Sequence, residues 1–153
     1  MDDCCSKNNI NTFKIEVNSI LGRLFSQYYN ITFLSLLDSE GNVVDYQIHA
    51  LTPTDSKKKL DDILKKALEF KISSTKAARL LGYETSSETF IRGDSHIIVT
   101  YEIEAYFLII LIEMSKPLID AFDFEKFNEK IELILIELKK KIDGLKVDKE
   151  IES

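Results

Sequence analysis

The side chains that could carry out chemistry in this 153-residue chain are few, and their spacing does not predict a shared site. The two histidines, His49 and His96, fall at the ends of predicted strands and have no ligand-like spacing between them. A zinc site needs three or four groups that converge on the metal. We therefore interpret both histidines as surface or strand-end residues and predict no metal site.

Acidic residues are the other candidates for catalysis. Asp38 stands in a run typical of a tight turn, so we interpret it as a turn residue. The pairs Asp61-Asp62 and Glu102/Glu104 are interpreted as solvated faces of a helix and a strand. The sequence contains no GxxxxGK[ST] phosphate loop, no GxGxxG, no HExxH and no CxxC. We predict that the isolated chain is not an enzyme and needs no cofactor.

Cys4 and Cys5 are adjacent and lie in the first residues of the sequence, MDDCCSKNN. Neighbouring cysteines rarely form a disulfide with each other, and the sequence holds no third cysteine. We expect reduced thiols in a disordered tail over residues 1–10, with lipidation or a cross-link between chains as the alternative. Because this tail lacks the apolar core of a signal peptide, the expected location is the cytoplasm.

The charge distribution argues against nucleic acid as a partner. The formal net charge is -6, whereas sequence-independent binding of phosphates calls for a basic face. Of the twenty basic residues only Arg23, Arg79 and Arg92 are arginine. The chain therefore has few side chains that can bind a phosphate through two hydrogen bonds. We predict no nucleic-acid partner.

The stretch from Glu88 to Glu113 is predicted to form three consecutive strands around which the fold is organised. The residues from His96 to Glu104 are rich in β-branched and aromatic side chains, which suit a pleated, half-buried surface. The run from Ala105 to Ile112 is apolar without interruption, as in a strand covered on both faces. As a helix this run would extend only about 12 Å, so it could not cross a bilayer. We predict a central strand and no transmembrane segment.

The remaining periodicities predict three helices and one more hairpin. In chain order they are a helix from Asn11 or Thr12 to Tyr28, strands from Ile31 to Leu37 and from Asn42 to Ala50, a helix ending at Gly82, and a helix from about Asp123 to Leu145. The order is therefore α-β-β-α-β-β-β-α, an α/β fold with a five-stranded, mostly antiparallel sheet between helices. We predict a single domain over residues 11–145 and a charged tail over residues 146–153.

Two irregularities interrupt the helical patterns. Ser73-Ser74-Thr75 predicts a bend or a weak spot in the second helix, because these residues compete for backbone hydrogen bonds. In the last helix, Leu133 and Ile136 fall outside the apolar stripe. They predict a second contact, for example with another subunit.

The order of elements and the turn residues resemble the roadblock/dynein-light-chain domain, within the wider roadblock–longin class. FLSLLDSEGNVV (Phe33 to Val44) is similar to the first hairpin of the family. AARLLGYETSSETFIRGDSHIIV (Ala77 to Val99) resembles the end of its second helix, the loop and the third strand, and AYFLIILIE (Ala105 to Glu113) resembles its last strand. The resemblance covers about Thr12 to Leu145, and no single motif in it is diagnostic.

The resemblance implies a dimer that forms through the third strand and the second helix. Such a dimer is physically reasonable, because residues Glu88 to Gly93 would form an edge strand whose unpaired backbone groups a second copy can satisfy. The implied interface residues are Glu88, Thr89, Phe90, Ile91, Arg92, Leu64, Leu68 and Ile72. A partner surface is expected at Lys57, Lys58, Lys65 and Lys76, although the run from Lys57 to Lys59 is also explained as a solvated face.

Two functional hypotheses of different class follow. The favoured one is a non-catalytic, dimeric interaction module, because roadblock proteins act as scaffolds or regulators of small Ras-like GTPases, and some form part of a GTPase-activating assembly. Its implied partners are the chain itself or a roadblock paralogue, and a small Ras-like GTPase. The alternative is a longin-like trafficking domain or a small-ligand sensor. A sensor needs a pocket with polar groups in an apolar wall, and the predicted interior offers only Thr32, Ser35 and Thr100.

Overall fold

The computed structural model describes the backbone of residues 2–48, 55–82, 88–92, 96–113 and 123–152, and the side chains of residues 9–48, 61–82, 89–92, 96–113 and 123–145. Its elements, in chain order, are α1 (Asp2–Gln27), β1 (Ile31–Leu37), β2 (Val43–Ile48), α2 (Asp55–Leu80), β3 (Glu88–Arg92), β4 (His96–Ile103), β5 (Tyr106–Glu113) and α3 (Phe124–Glu152). The predicted order α-β-β-α-β-β-β-α is confirmed.

The five strands form one antiparallel sheet in the order β2-β1-β5-β4-β3. β5 lies in the middle, as its unbroken apolar sequence predicted. Its side chains alternate between the two faces: Leu108 and Ile110 enter one buried cluster, and Phe107 and Ile109 enter another. Because both faces of β5 are covered, neither set of alternating positions needs to be polar.

The larger cluster lies between the sheet and the pair α1 and α3. Val17 and Leu24 of α1 and Phe127 and Leu138 of α3 are buried in it, together with Leu34 of β1. Their spacings of seven and eleven residues place each pair on one side of its helix, which is why these two helices can share one face of the sheet.

The smaller cluster lies on the opposite face, which α2 covers. Leu64 and Ala67 of α2 pack there against Phe33, Phe107 and Ile109 of the sheet. Lys71 lies on the same side of α2, one turn further on, and is only 2% exposed. The result is a sheet sandwiched between helices, with two helices on one face and one on the other.

Short polar contacts fix the turn between β1 and β2, as predicted for Asp38, and the beginning of α3. The Asp38 carboxylate accepts hydrogen bonds from the backbone N–H groups of Glu40 (3.0 Å) and Asn42 (2.9 Å), so the turn between β1 and β2 depends on it. Gly41, in the same turn, has a φ of 85°. Asp123 caps α3 by accepting from the backbone N–H of Lys126 at 3.1 Å.

The first and last helices are longer than the sequence analysis expected. α1 begins at Asp2, so residues 2–10, predicted to be a disordered tail, are helical, and the expected cap at Asn11 or Thr12 is wrong. α3 continues to Glu152 through the predicted charged tail. No proline or glycine separates Asp2 from Asn11 and no proline follows Asp123, so no strong breaker opposes propagation of either helix.

The Ser73-Ser74-Thr75 interruption does not end α2. The helix runs continuously through these residues, and the Ser74 hydroxyl donates to the carbonyl oxygen of Lys71 at 3.0 Å. α2 ends two residues before Gly82, whose φ of 76° is the left-handed conformation common after a helix. Within the described residues, no helix contains a stretch both long and apolar enough to cross a membrane.

The turn between β4 and β5 contains two strained residues. Glu104 (φ 47°) and Ala105 (φ 72°) both have left-handed backbone conformations, as a two-residue hairpin requires. Such a conformation costs an L-residue other than glycine roughly 1–2 kcal/mol.

We predict that Ala105→Gly stabilises the protein. Glycine adopts positive φ without strain, so the free energy of unfolding should rise by about 0.5–1 kcal/mol after the extra entropy of the unfolded chain is subtracted. Urea denaturation followed by circular dichroism measures the change. The matched control is Ala77→Gly in α2, an exposed helical position where the same replacement should lower the free energy of unfolding by about 1 kcal/mol. Equal losses at both positions would contradict the prediction.

A polar contact connects β2 to α1. Asn18 Nδ2 donates to the carboxylate oxygens of Asp45 at 3.1 and 3.3 Å. Burial raises the pKa of Asp45 above its ordinary value of 3.8, and the hydrogen bond from Asn18 opposes this shift without cancelling it.

The raised pKa of Asp45 has a consequence for stability. Folding favours the neutral form of Asp45. The contribution of Asp45 to the free energy of unfolding is therefore fully present below pH 3.8 and is lost as the pH rises through the raised pKa. The stability of Asp45→Asn relative to the wild type should therefore be greater at about pH 7 than at about pH 3. Urea denaturation at both pH values measures this difference, and a difference that shrinks with rising pH would contradict the prediction. In Asn18→Ala, an NMR titration should show the pKa of Asp45 still higher.

Candidate protein-interaction surface

β3 is one edge of the sheet. It pairs with β4 alone, with Phe90 opposite Val99 and Ile91 opposite Ile98. A strand with a neighbour on one side only leaves a row of N–H and C=O groups available for pairing with another chain. β3 can therefore extend the sheet by accepting a further strand.

The side chains of β3 point alternately to the two faces of the sheet. Ile91 pairs with Ile98, which packs on the smaller cluster, so Ile91 faces the α2 side. Phe90 pairs with Val99, which belongs to the larger cluster, so Phe90 faces the side of α1 and α3. Phe90 is 54% exposed. The predicted interface residues of β3 are thus divided between the two faces of the sheet.

α2 exposes apolar side chains on the flank that points toward β3. A Cβ on Gly41 would lie 3.2 Å from Leu68 Cδ2, so Leu68 points toward the turn between β1 and β2. Phe70 follows Leu68 by two residues, which turns its side chain by about 200° to the opposite flank. Because β2 and β3 are the two edges of the sheet, that flank is the one nearer β3. Phe70 is exposed there, and Leu81, three turns further along, is 71% exposed.

The predicted interface residues of α2 have different environments. Leu64 is buried in the smaller cluster, and Leu68 packs half-buried against it. These two side chains belong to the apolar stripe of α2 that faces the sheet. They therefore stabilise the subunit and are not available to the predicted dimer interface. Ile72 is exposed. Phe70, Leu80 and Leu81 are also exposed and were not among the predicted interface residues, although Phe70 and Leu81 fall on one edge of the apolar stripe.

The predicted partner surface is partly described. Lys65 and Lys76 are both exposed, and their spacing of eleven residues places them on one side of α2. Lys57 and Lys58 lie in the first turn of α2, and their side chains are outside the described part of the structure.

An open groove of about 520 Å³ separates α2 from the turn between β1 and β2. Its walls combine the apolar side chains of Leu64 and Leu68 with the carboxylates of Glu40, Asp61 and Glu69. The groove lies on the β2 side of α2, away from the β3 edge, so it is separate from the surface formed by β3 and Phe70.

The described residues that were considered for catalysis make separate contacts. Asp38 is occupied by its turn, and Glu104 forms an ion pair of 3.7 Å with Lys139 across the end of the sheet. His96 is half-buried opposite Glu113 at the start of β4, and His49 lies outside the described residues. Where the chain is described, no group of three His, Cys, Asp or Glu residues is placed to hold a metal ion.

Comparison with solved structures identifies proteins of the same fold. No protein-family model matches the sequence, and no curated protein matches it either. The gliding protein MglB from Thermus thermophilus superposes with a TM-score of 0.69 at 14% identity, covering 86% of this chain and 92% of that one. A structure described as MglB with tetrameric arrangement gives 0.69 at 16% identity, covering 87% and 92%.

A third similar structure is the Roadblock/LC7 domain from Streptomyces avermitilis. It superposes with a TM-score of 0.63 at 14% identity, covering 82% of this chain and 96% of that one. At these identities the likeness extends to the fold alone. The chain has the fold of the roadblock/LC7 domain.

Proposed function

We propose that this protein is a non-catalytic, dimeric interaction module that acts in the cytoplasm as a scaffold or regulator of a small Ras-like GTPase. Its first partner is a second copy of itself or a roadblock paralogue. The observation that supports the proposal is the open edge of β3 beside the exposed apolar flank of α2.

The dimer forms when β3 of one subunit pairs with β3 of the other. A two-fold axis makes this contact self-complementary, because each strand then offers the same backbone groups to its partner. The two sheets become one, and the edges of both β3 strands are satisfied. On the face of α2, Phe70 and Leu81 approach the partner, and on the opposite face Phe90 does so.

The role in GTPase regulation rests on the family resemblance and on the fold. Roadblock proteins, which the sequence resembles, bind small Ras-like GTPases as scaffolds or regulators. One similar structure is described as a tetramer, so subunits of this fold are able to assemble. The exposed lysines Lys65 and Lys76 lie on one side of α2, where each can pair with an acidic group on a partner, although Asp61 and Glu69 lie one turn before and after Lys65.

We predict that Phe90→Glu separates the dimer. At low micromolar concentration the wild type should have a mass near twice the 17.6 kDa of one chain. Each dimer contains Phe90 twice, and placing a charge at both positions should raise the dissociation constant by about a hundredfold. Light scattering after size exclusion, over a dilution series, measures the mass.

The matched control for Phe90→Glu is Ile15→Glu. Ile15 is 70% exposed on α1, on an element that does not flank the β3 edge. This variant should keep the mass of the wild type. A wild type that is a monomer at every concentration, or a control that dissociates as readily as Phe90→Glu, would contradict dimerisation through β3.

We predict that the lysines of α2 contribute to GTPase binding. A purified Ras-like GTPase from the same genome, loaded with GDP or with a non-hydrolysable GTP analogue, should bind with one nucleotide state preferred. Lys65→Glu and Lys76→Glu should each weaken binding by about fivefold, which isothermal titration calorimetry resolves. Lys14→Glu on α1 makes the same change of charge elsewhere and should leave the affinity unaltered. Equal losses in all three variants would indicate a general effect of net charge and contradict this surface.

A further inference from the structure

The outward side of α3 carries a second regular row of side chains. Its members follow one another at alternating steps of three and four residues, which keeps them on one side of a helix. They are Lys126, Glu129, Leu133, Ile136, Lys140 and Asp143. In the middle of this row, hereafter the outer row, Leu133 is 63% exposed and Ile136 is 52% exposed.

The other sides of α3 already have contacts. Phe127 and Leu138 face the sheet. Glu137 forms an ion pair with Arg23 of α1, and Lys141 forms one with Glu16 of α1 at 3.2 Å. On the far side, Lys139 forms an ion pair with Glu104 in the turn between β4 and β5.

These contacts fix the direction of the outer row. The members of the row fall within an arc of about 100° on the helix, opposite the residues that face the sheet. All but Asp143 are exposed, and Asp143 is half-buried. The row is therefore a narrow stripe on the surface of the subunit, with an apolar centre and charged ends.

We propose that the outer row binds the outer row of a second copy of this chain, as an antiparallel pair of α3 helices. The two-fold axis of the pair passes between Ile134 and Leu135. About this axis each Leu133 lies against Ile136 of the partner subunit, so the two exposed apolar side chains of one subunit cover those of the other.

The charges in the outer row determine this register and direction. In the antiparallel pair Lys126 faces an aspartate, Asp143, and Glu129 faces a lysine, Lys140, so every charged layer joins opposite charges. A parallel pair would place each of these charges against its own copy. Sliding the antiparallel pair by one heptad would place Leu133 against a charged residue. Within this row, only one arrangement matches both the apolar and the charged positions.

The contact is expected to be weak and independent of the β3 edge. The six positions extend over about 26 Å of helix, and only the two central layers are apolar. Association with a dissociation constant in the range of about 10–1,000 μM is reasonable for a contact of this size. α3 and β3 present different surfaces, so the same subunit can use both.

The test uses two chains whose outer rows have opposite charge. The acidic chain carries Lys126→Glu with Lys140→Glu, and the basic chain carries Glu129→Lys with Asp143→Lys. In either chain alone the four charged layers of the pair become repulsive, which should raise the dissociation constant by about a hundredfold. In an equimolar mixture every charged layer joins opposite charges again.

Sedimentation velocity over a concentration series gives the result. We expect the mass of the wild type to double as the concentration rises, that of each altered chain to stay constant, and that of the mixture to double. If the β3 edge forms dimers, each dimer presents two outer rows, so the rise in mass starts from two chains and continues to four and beyond; if it does not, the doubling runs from one chain to two. The outcome therefore separates this proposal from the proposed dimer.

Two controls make the experiment decisive. A chain with Lys14→Glu and Lys66→Glu has the net charge of the acidic chain, but both changes lie on α1 and α2. Because its outer row is that of the wild type, its mass should double on its own as the wild type's does, while the acidic chain, with the same net charge, stays constant. Leu133→Ala in both altered chains should raise the dissociation constant of the mixture about tenfold. A mixture that keeps the mass of its components up to about 1 mM, or a control that stays constant as the acidic chain does, would overturn the proposal.

Discussion

The central position of β5 is the constraint from which the architecture follows. Its eight residues present apolar side chains to both faces of the sheet, so both faces must be covered by other elements. β1 and β4 pair with β5 on its two sides, which leaves β2 and β3 as the edges. The helices therefore divide between the two faces, with α1 and α3 on one face and α2 on the other.

This division makes the two layers unequal. α1 and α3 contact each other as well as the sheet, and ion pairs such as Arg23–Glu137 join them along their length. α2 lies alone on its face, with a smaller buried cluster and with Lys71 among its buried side chains. A single helix cannot cover a five-stranded sheet, since a helix is about 10 Å wide and five strands span about 19 Å. Because no second helix in the described ranges of the chain packs beside α2 on this face, part of its apolar flank remains on the surface, next to the β3 edge.

The sequence was sufficient for the elements that local chemistry defines. The β-branched content of β4, the apolar run of β5 and the turn at Asp38 depend on neighbouring residues, and each was predicted. The beginning of α1 was not, because capping residues occur both at Asp2 and Asp3 and at Asn11 and Thr12, so local chemistry does not select between the two starts. The interface residues were only partly separated from the core, since Leu64 and Phe70 are both apolar residues of one amphipathic helix. Which of them faces the sheet depends on the rotation of α2, and a periodicity with a wide apolar stripe does not fix that rotation.

Strand register explains why the β3 surface was harder to predict than the strand itself. A shift of one residue exchanges the two faces of a strand, and the sequence of β3 does not show which residue of β4 lies opposite Phe90. With Phe90 opposite Val99, its aromatic ring lies on the face away from α2. A second subunit that extends the sheet at β3 would therefore meet apolar side chains on both faces: Phe90 on one, and Ile91 with the flank of α2 on the other. Contacts on both faces would hold the partner against rotation about the axis of β3, because tilting it toward one face would separate the side chains in contact on the other face.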